Sequence, residues 1–113
     1  MARVYRRAVA RRDLIDHYVY LAENAGAATA ERFLSQAETS FNSLAEYPEM
    51  GVPLKLSHAK LAGLRKWQVP EFDKVLVFYF PRHDGVTILR VLHAAQDWWR
   101  LLGVVDRRPG SPL

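Results

Sequence analysis

The sequence predicts an α+β domain of two layers, in the order β-α-α-β-β-β-α, in which an antiparallel sheet packs against a helical hairpin. Two long segments of helical periodicity follow one another with only a short break between them, which is typical of a helical hairpin. Three strand-like segments with short turns come next, which is typical of an antiparallel meander. A chain of 113 residues that is 50% apolar is long enough to bury one core without disulfides.

The first half of the chain is predicted to hold one strand and two helices. Residues 3–8 alternate in part between apolar and charged side chains, which indicates a strand. The first helix begins near Val9 and ends at Gly26, because glycine readily takes the conformation that ends a helix. The second helix follows directly and ends before Pro48, which cannot continue a helix. The predicted apolar stripes are Leu14, Ile15, Tyr18, Leu21 and Ala22 in the first helix, and Ala30, Phe33, Leu34, Ala37, Phe41 and Leu44 in the second.

The second half is predicted to begin with a loop over residues 48–60. Residues 64–69 alternate between apolar and polar side chains and are predicted as a strand, with a turn over 70–73. A strand is predicted over residues 74–80, and its residues 75–80 are apolar at successive positions, which indicates a central strand buried on both faces. The Asp-Gly pair within 83–85 favours a tight hairpin turn into the next strand.

The last predicted elements are a strand over residues 86–93 and a short amphipathic helix over 95–102. Residues 106–113 contain two prolines and a glycine, so they are predicted as a flexible tail beyond a single domain of residues 1–105. The side chains predicted to form the core are Leu14, Tyr18, Phe33, Leu34, Ala37, Phe41, Val75, Val77 and Leu89.

Charge is distributed unevenly along a chain whose net charge is +4. Residues 1–12 carry five arginines and no acid, which gives +5. Residues 13–51 carry seven acids and one arginine, which gives −6, and residues 52–70 carry four bases and no acid. Two basic segments on one folded chain are compatible with an acidic protein partner or with nucleic acid, and equally with simple solvation of a small domain.

Several classes of chemistry are excluded by what the sequence lacks. It contains no cysteine, so disulfides, thiolate zinc sites and cysteine nucleophiles are excluded. No apolar run is long enough to span a membrane, and the first residues lack the apolar core of a signal peptide, so we expect a cytoplasmic protein. The four histidines have no metal-ligand spacing, and no cofactor-binding motif is present, so we expect neither a metal nor a cofactor.

A group of basic residues is the first candidate for a functional site. Arginine and histidine side chains near one another can position a phosphate, stabilise charge and move a proton, as cleavage of RNA requires. The predicted strands carry no carboxylate that could act as the general base beside them. The simpler interpretation is a basic sheet face whose arginine pairs with an acid such as Asp97. The candidate residues are Lys55, Lys60, Arg65, Lys66, Arg90 and His93.

Three tryptophans are the second candidate. Trp98 and Trp99 are adjacent on a helix of about two turns, and Trp67 lies on a predicted strand. One interpretation is that these rings pack on the sheet. The alternative is that they anchor a partner, since tryptophan is favoured in the central contacts of interfaces.

Short segments across nearly all of residues 3–102 match, in order and spacing, a known family. The segments are Ala10-Arg11-Arg12-Asp13-Leu14 with Tyr18, 21–23, 30–33, 44–51, 61–65 with Val69, 77–79, and 88–93 followed by Asp97. In these segments the chain resembles the RelE/ParE superfamily, the toxins of type II toxin–antitoxin modules. The resemblance implies the small sheet and helical hairpin derived above.

The resemblance implies one of two activities, because RelE-like members cut mRNA on the ribosome and ParE-like members inhibit DNA gyrase. A RelE-type nuclease would carry an arginine near Val75, an arginine near Ala94 and a tyrosine near Arg100. Lys66 is the one base of that set that is retained. The segments 44–51 and 88–93 are also closer to the ParE side.

We therefore expect a non-catalytic toxin that binds DNA gyrase, is neutralised by a cognate antitoxin, and serves in plasmid stabilisation. The alternatives are a ribosome-dependent mRNA endoribonuclease and a degenerate member that binds only its antitoxin. An acidic, amphipathic antitoxin segment could fold onto the outer edge of the hairpin and onto the last helix. The candidate residues for a nuclease are Arg65, Lys66, Arg90 and His93, and those for target or antitoxin binding are Arg65, Trp67, Arg90, His93, Trp98 and Trp99.

Overall fold

The computed structural model of the chain describes residues 2–102, in which two long helices cover one face of a five-stranded sheet. The tail predicted over 106–113 lies outside the described residues. The strands are β1 (Arg3–Arg6), β2 (Val52–Pro53), β3 (Arg65–Val69), β4 (Phe72–Arg82) and β5 (Gly85–His93), and the helices are α1 (Ala8–Ala25), α2 (Ala27–Glu46) and α3 (Trp98–Leu101).

The sheet has the strand order β1-β5-β4-β3-β2. Strands β3, β4 and β5 form the predicted antiparallel meander, and β2 extends it with two residues. β1 pairs with β5 in parallel, with Val4 opposite Val86, because the helical hairpin carries the chain back before the meander begins. β1 ends at Arg6 rather than at the predicted residue 8, since α1 begins at Ala8.

The helical hairpin forms where the period of apolar residues predicts it. Gly26 separates α1 from α2 with a φ of 95°, a value that glycine adopts without strain. The buried stripe of α2 packs against one face of the sheet, which we call the helix face. Of the predicted core, Leu34, Tyr18 and Leu89 are only half-buried. The fully buried members of the α2 stripe are Ala30, Phe33, Ala37, Phe41 and Leu44.

The buried side of α1 is rotated from the predicted stripe. Ile15 is 62% exposed, whereas Asp13 is buried beside Leu14. Leu14 of the predicted stripe is buried and Leu21 packs against the core, but Ile15 lies outside because Asp13 and His17 both turn inward to bind the backbone of β5. A polar pair four residues apart therefore takes the place of Ile15 on the inner side of the helix.

The opposite face of the sheet, called here the far face, carries a second cluster of apolar side chains. Leu76 and Phe78 of β4 lie on it, whereas Val75 and Val77 lie on the helix face, so β4 is buried on both sides as predicted. A 3-10 turn at Ala59–Leu61 covers part of the far face from within the segment predicted as loop. The members of this second cluster are Leu61, Leu64, Leu76, Phe78, Leu92, Trp98 and Leu102.

The last helix is shorter than the predicted range of 95–102. Residues 94–95 form a turn, and two side chains stabilise it by accepting hydrogen bonds from backbone N–H groups beside it. The Nδ1 atom of His93 accepts a hydrogen bond from the N–H of Ala95 at 3.0 Å. The side-chain oxygen of Gln96 accepts one from the N–H of His93 at 2.7 Å. Helix α3 therefore begins only at Trp98.

Candidate functional site

Arg90 is held at a β-bulge, where it joins three elements of the fold. Phe78 pairs with Arg90 and Tyr79 pairs with Ile88, so β5 carries one extra residue between them. Arg90 donates from Nε to Oδ2 of Asp13 at 2.8 Å and from Nη2 to Oδ1 at 3.0 Å. Its Nη1 atom donates to the carbonyl oxygen of Leu101 at 3.1 Å. The guanidinium thus ties β5 to α1 and to α3.

The acid that pairs with Arg90 is Asp13 and not Asp97, which was the acid suggested by the sequence. Asp97 instead forms an ion pair with Arg100 at 3.2 Å, close to it in the chain. The Asp13–Arg90 pair is largely buried, with side-chain exposures of 10% and 16%. Arg90 therefore makes structural contacts, in line with the simpler interpretation of the basic residues.

The outer edge of β5 beyond Ile88 is covered by side chains of α1. β1 pairs with β5 only as far as Ile88, which leaves the backbone of Val91 facing outward. Asp13 accepts a hydrogen bond from the N–H of Val91 at 2.9 Å, and the Nε2 atom of His17 lies 3.0 Å from its carbonyl oxygen. Satisfying an edge in this way protects it from pairing with other strands. Sequence reasoning missed this role, whose signal was a polar pair spaced by four residues within an amphipathic helix.

Arg65 holds the loop that connects α2 to β2. Its Nη1 atom donates to the carbonyl oxygens of Glu49 at 3.1 Å and Gly51 at 2.6 Å. The Tyr79 hydroxyl accepts from the N–H of Gly51 at 2.9 Å and donates to the carbonyl oxygen of Pro48 at 2.7 Å. Burial raises the pKa of Tyr79, so the phenol remains a donor at neutral pH.

Gly51 is needed where the loop meets Tyr79. A Cβ atom at this position would lie 2.5 Å from the Tyr79 hydroxyl oxygen, which is closer than real contacts allow. The backbone of the loop at Gly51 therefore packs directly against the Tyr79 ring. Arg65 and Tyr79 together fix the shape of this segment, and the Arg65 side chain is used in doing so.

The described tryptophans pack on the two faces of the sheet. The Trp98 ring is 9% exposed and lies 4.9 Å, between ring centroids, from Phe78 on the far face. The Lys66 Nζ atom lies 5.9 Å from the centroid of the Trp98 ring. Trp67 donates from Nε1 to the Ser40 hydroxyl at 3.1 Å on the helix face. The side chain of Trp99 lies outside the described residues.

The four candidate bases for a nuclease are divided between the two faces of the sheet. Arg65 pairs with Tyr79 and His93 pairs with Val75, which are both on the helix face and four residues apart along β4. That separation is about 13 Å at a rise of ~3.3 Å per residue. Lys66 and Arg90 flank Phe78 on the far face, two strand spacings apart or about 10 Å. These positions do not bring the four bases together around one phosphate.

A groove runs along the outer side of the helical hairpin, with a cavity of about 340 Å³, and we call it the hairpin groove. Ile15 lines the groove and is 62% exposed. Arg6 and Glu38 form an ion pair at one end, with Nη1 of Arg6 2.9 Å from Oε2 of Glu38. An apolar groove with charged margins is suited to an amphipathic segment. Its lining residues are Arg6, Arg11, Leu14, Ile15, Tyr18, Leu34 and Glu38.

The described part of the chain has neither a membrane-spanning helix nor a cluster of metal ligands. Across residues 2–102, no helix has the length and apolar character needed to cross a membrane. In the same part of the chain, no three His, Asp or Glu side chains lie close enough together to hold a metal ion.

Comparison with known proteins assigns the family. The family model described as "ParE toxin of type II toxin-antitoxin system, parDE" matches residues 4–98. The chain belongs to the ParE toxin family. This assignment confirms the resemblance to the RelE/ParE superfamily and its ParE side. The matched residues include those of the hairpin groove and most of the sheet.

A solved structure has the same fold as this ParE-family chain. It is described as "Chromosomal ParDE TA system from P. aeruginosa" and matches with a TM-score of 0.66 at 15% sequence identity. The match covers 82% of this chain and 96% of the other. At this identity the likeness establishes the shared α+β fold alone. A search of curated proteins found no significant match.

Proposed function

We propose that this chain is a non-catalytic toxin that inhibits DNA gyrase by binding it, and that a cognate antitoxin neutralises it. The observation that carries the proposal is the match to the ParE toxin family over residues 4–98. Gyrase is the target implied by the ParE side of the superfamily. The cognate antitoxin follows from the kind of module to which this family belongs.

The contacts of the basic residues support binding rather than RNA cleavage. Arg90 is held by Asp13, and Arg65 is held by two loop carbonyl groups. The Nδ1 atom of His93 accepts a backbone hydrogen bond, so only the other ring nitrogen is open to proton transfer. A general acid or base must reach the reacting atom, and the contacts of Arg65 and Arg90 direct those two side chains at the fold.

The purified chain is expected to inhibit DNA supercoiling by gyrase and to leave mRNA intact on translating ribosomes. The first assay measures conversion of relaxed plasmid to supercoiled plasmid. The second maps cuts in mRNA at the ribosomal A site. In cells, induction should start a DNA-damage response with blocked replication.

Cleavage of mRNA that disappears in a His93→Ala variant, with supercoiling unaffected, would establish the ribonuclease alternative instead. A chain that binds its antitoxin but affects neither assay would be the degenerate member of the family. The matched control is His83→Ala, because His83 is exposed in the β4–β5 turn and away from β3.

The antitoxin is proposed to bind along the hairpin groove. The groove combines an exposed Ile15 with half-buried Tyr18 and Leu34, so a partner would bury apolar surface there. Arg11 lines it, and residues 1–12 carry a charge of +5, so an acidic amphipathic segment fits it best. Trp98 is already buried against Phe78, so the proposed anchors lie on the hairpin rather than on that ring.

Ile15→Ser is expected to raise the Kd for the antitoxin by about tenfold to a hundredfold, since burying an isoleucine contributes ~1.5–3 kcal/mol. The measurement is titration calorimetry of the purified pair. Tyr20→Ser is the matched control, because Tyr20 is 63% exposed on α1 and does not line the groove. Equal weakening by both variants, or an association rate that does not fall with added salt, would place the antitoxin elsewhere.

A further inference from the structure

Within residues 2–102, the apolar cluster of the far face leaves the end of the sheet that carries β1 uncovered. Tyr5 pairs with Thr87 and Thr87 pairs with Phe80, so these three side chains form one row across β1, β5 and β4. The row is continuous with the apolar cluster of the far face, against which Phe80 packs. We call this region, Tyr5 to Phe80 with the arginines around it, the open half-face. It lines a cavity of about 420 Å³.

The guanidinium of Arg82 lies over one end of the row in the open half-face. Its Cζ atom lies 4.3 Å from the centroid of the Tyr5 ring. Nη1 donates to the Thr87 hydroxyl at 3.2 Å, and Nε lies 3.6 Å from Oδ1 of Asp84. A guanidinium has five N–H donors, and only one of them makes a hydrogen bond among the described residues, so four remain available to a ligand. The arginine is positioned in advance and retains the capacity to bind an anion.

Asp84 anchors this arrangement from one side. The Tyr5 hydroxyl donates to Oδ2 of Asp84 at 2.7 Å, and this hydrogen bond is the main reason that the pKa of Asp84 lies below its usual value. The carboxylate therefore stays ionised and holds both the Tyr5 ring and Arg82. Its charge is opposed by Arg82 itself, and Arg7 adds a further positive charge at the rim of the cavity.

Arg7 is the second cation available to a ligand. Its side chain is exposed, and within residues 2–102 it forms no ion pair. Arg6 also lines the cavity, but its guanidinium is bound to Glu38 on the helix face. The cavity thus offers two arginines and two aromatic rings, while the hydroxyls of Tyr5 and Thr87 already bind Asp84 and Arg82.

We propose that the open half-face binds a nucleotide unit of single-stranded nucleic acid, with the base stacked on Phe80 and on the Arg82 guanidinium that covers the Tyr5 ring, and with the phosphate held by Arg7 and Arg82. Aromatic rings and guanidinium planes stack on any base, and arginine binds phosphate strongly. The cavity volume falls within the range of small-ligand sites, which begins at about 300 Å³. This binding would be an activity in addition to gyrase inhibition and antitoxin binding.

An acidic peptide is the less suitable occupant. Its carboxylates would bind the two arginines but would leave the aromatic row without a stacking partner. Duplex DNA is also less suitable, because its bases are already stacked on one another and cannot lie on Arg82 or Phe80. A free nucleotide and a single strand share the required chemistry, so the experiment must separate those two sources.

The experiment is fluorescence anisotropy of a labelled oligothymidylate with the purified full chain at low salt. The competitors are unlabelled oligothymidylate, thymidine monophosphate, duplex DNA and polyglutamate. Binding that the unlabelled strand displaces far better than duplex or polyglutamate supports the site. Competition by the monophosphate at a similar concentration assigns the site to a free nucleotide, and competition by the strand alone assigns it to nucleic acid.

Three variants test the residues. Arg7→Gln should weaken binding about fivefold to tenfold and reduce the salt slope by about 0.7, the loss expected for one phosphate contact on a single strand. Arg82→Lys should also weaken binding although it keeps the charge, because lysine cannot stack. Arg12→Gln is the matched control, since it removes the same charge from an exposed position on α1 outside the cavity.

The proposal is overturned by either of two results. One is equal weakening by Arg7→Gln and Arg12→Gln, which would mean diffuse attraction to a basic chain. The other is displacement by polyglutamate or duplex DNA as effective as that by the single strand. Arg7→Gln alters only an exposed side chain, and an unchanged thermal melt of that variant confirms that the comparison is made between folded proteins.

Discussion

Asp13→Ala is expected to lower the free energy of unfolding by about 3–5 kcal/mol, the loss that follows when one partner of a buried ion pair is removed. Asp13 receives two hydrogen bonds from Arg90 and one from the N–H of Val91. The variant would leave the guanidinium largely buried without its carboxylate, and would leave the edge of β5 without an acceptor. For a domain of this size, each kcal/mol corresponds to about 4 °C or more in Tm. Urea and thermal unfolding measure the effect.

Asp16→Ala is the matched control for Asp13→Ala. Asp16 is an exposed acid on the same helix, so its removal should change stability by no more than about 0.5 kcal/mol. Replacing both members of the pair, as in Asp13→Leu with Arg90→Met, should be less damaging than Asp13→Ala because no uncompensated charge remains. A loss below about 1 kcal/mol in Asp13→Ala would mean that Arg90 is not fixed. Arg90 would then be free to bind phosphate, as the nuclease alternative requires.

The parts of the fold that local sequence could predict are those whose signal lies within one element. The stripe containing Phe33 and Phe41 has helical period, and residues 75–80 are apolar at every position, so α2 and the centre of β4 are where the sequence predicts them. β4 is longer than the predicted 74–80, because it begins at Phe72 within the predicted turn and continues to Arg82. The parallel pairing of β1 with β5 joins residues about 80 positions apart, as in Val4 with Val86. Local periodicity contains no information on that pairing.

Which polar residues are buried is the other feature that could not be predicted from the sequence. The predicted stripe of α1 included Ile15 and omitted Asp13, because apolar residues are the usual inner residues of a helix. The structure reverses this, since the free backbone groups of Val91 require polar partners from α1. The need arises only after β5 is placed beside the helix, so it depends on tertiary structure.

The sequence identifies which side chains have the chemistry to bind a ligand, but it does not show where those side chains point. The sequence indicates that Arg65, Arg90 and His93 are able to bind phosphate, and their roles in binding remain predictions. Whether a guanidinium points outward or at a carbonyl group depends on distant residues, such as Gly51 for Arg65 and Asp13 for Arg90. Family membership, by contrast, was carried by many weak matches in order, and it is confirmed.

Phe41→Ala is expected to lower the free energy of unfolding by about 3–5 kcal/mol, because the Phe41 ring is fully buried between α2 and the sheet. The ring also lies 5.0 Å from the guanidinium carbon of Arg6, which forms the ion pair with Glu38 at the end of the hairpin groove. Truncation would therefore leave a cavity in the core and remove a contact from one wall of the groove. Chemical unfolding of the variant measures the stability.

Val19→Ala is the control for Phe41→Ala, since Val19 is 45% exposed on α1 and its truncation should change stability little.

Antitoxin binding provides a second measurement on the Phe41→Ala variant. A ligand that binds only the folded state raises the apparent stability by mass action, so saturating antitoxin should recover part of the loss in Phe41→Ala. The affinity itself should fall, because Arg6 loses the ring that supports it beside the groove. A thermal melt unchanged by Phe41→Ala would show that α2 does not pack on the sheet. If the variant is destabilised but binds the antitoxin as before, the shape of the hairpin groove does not depend on Phe41.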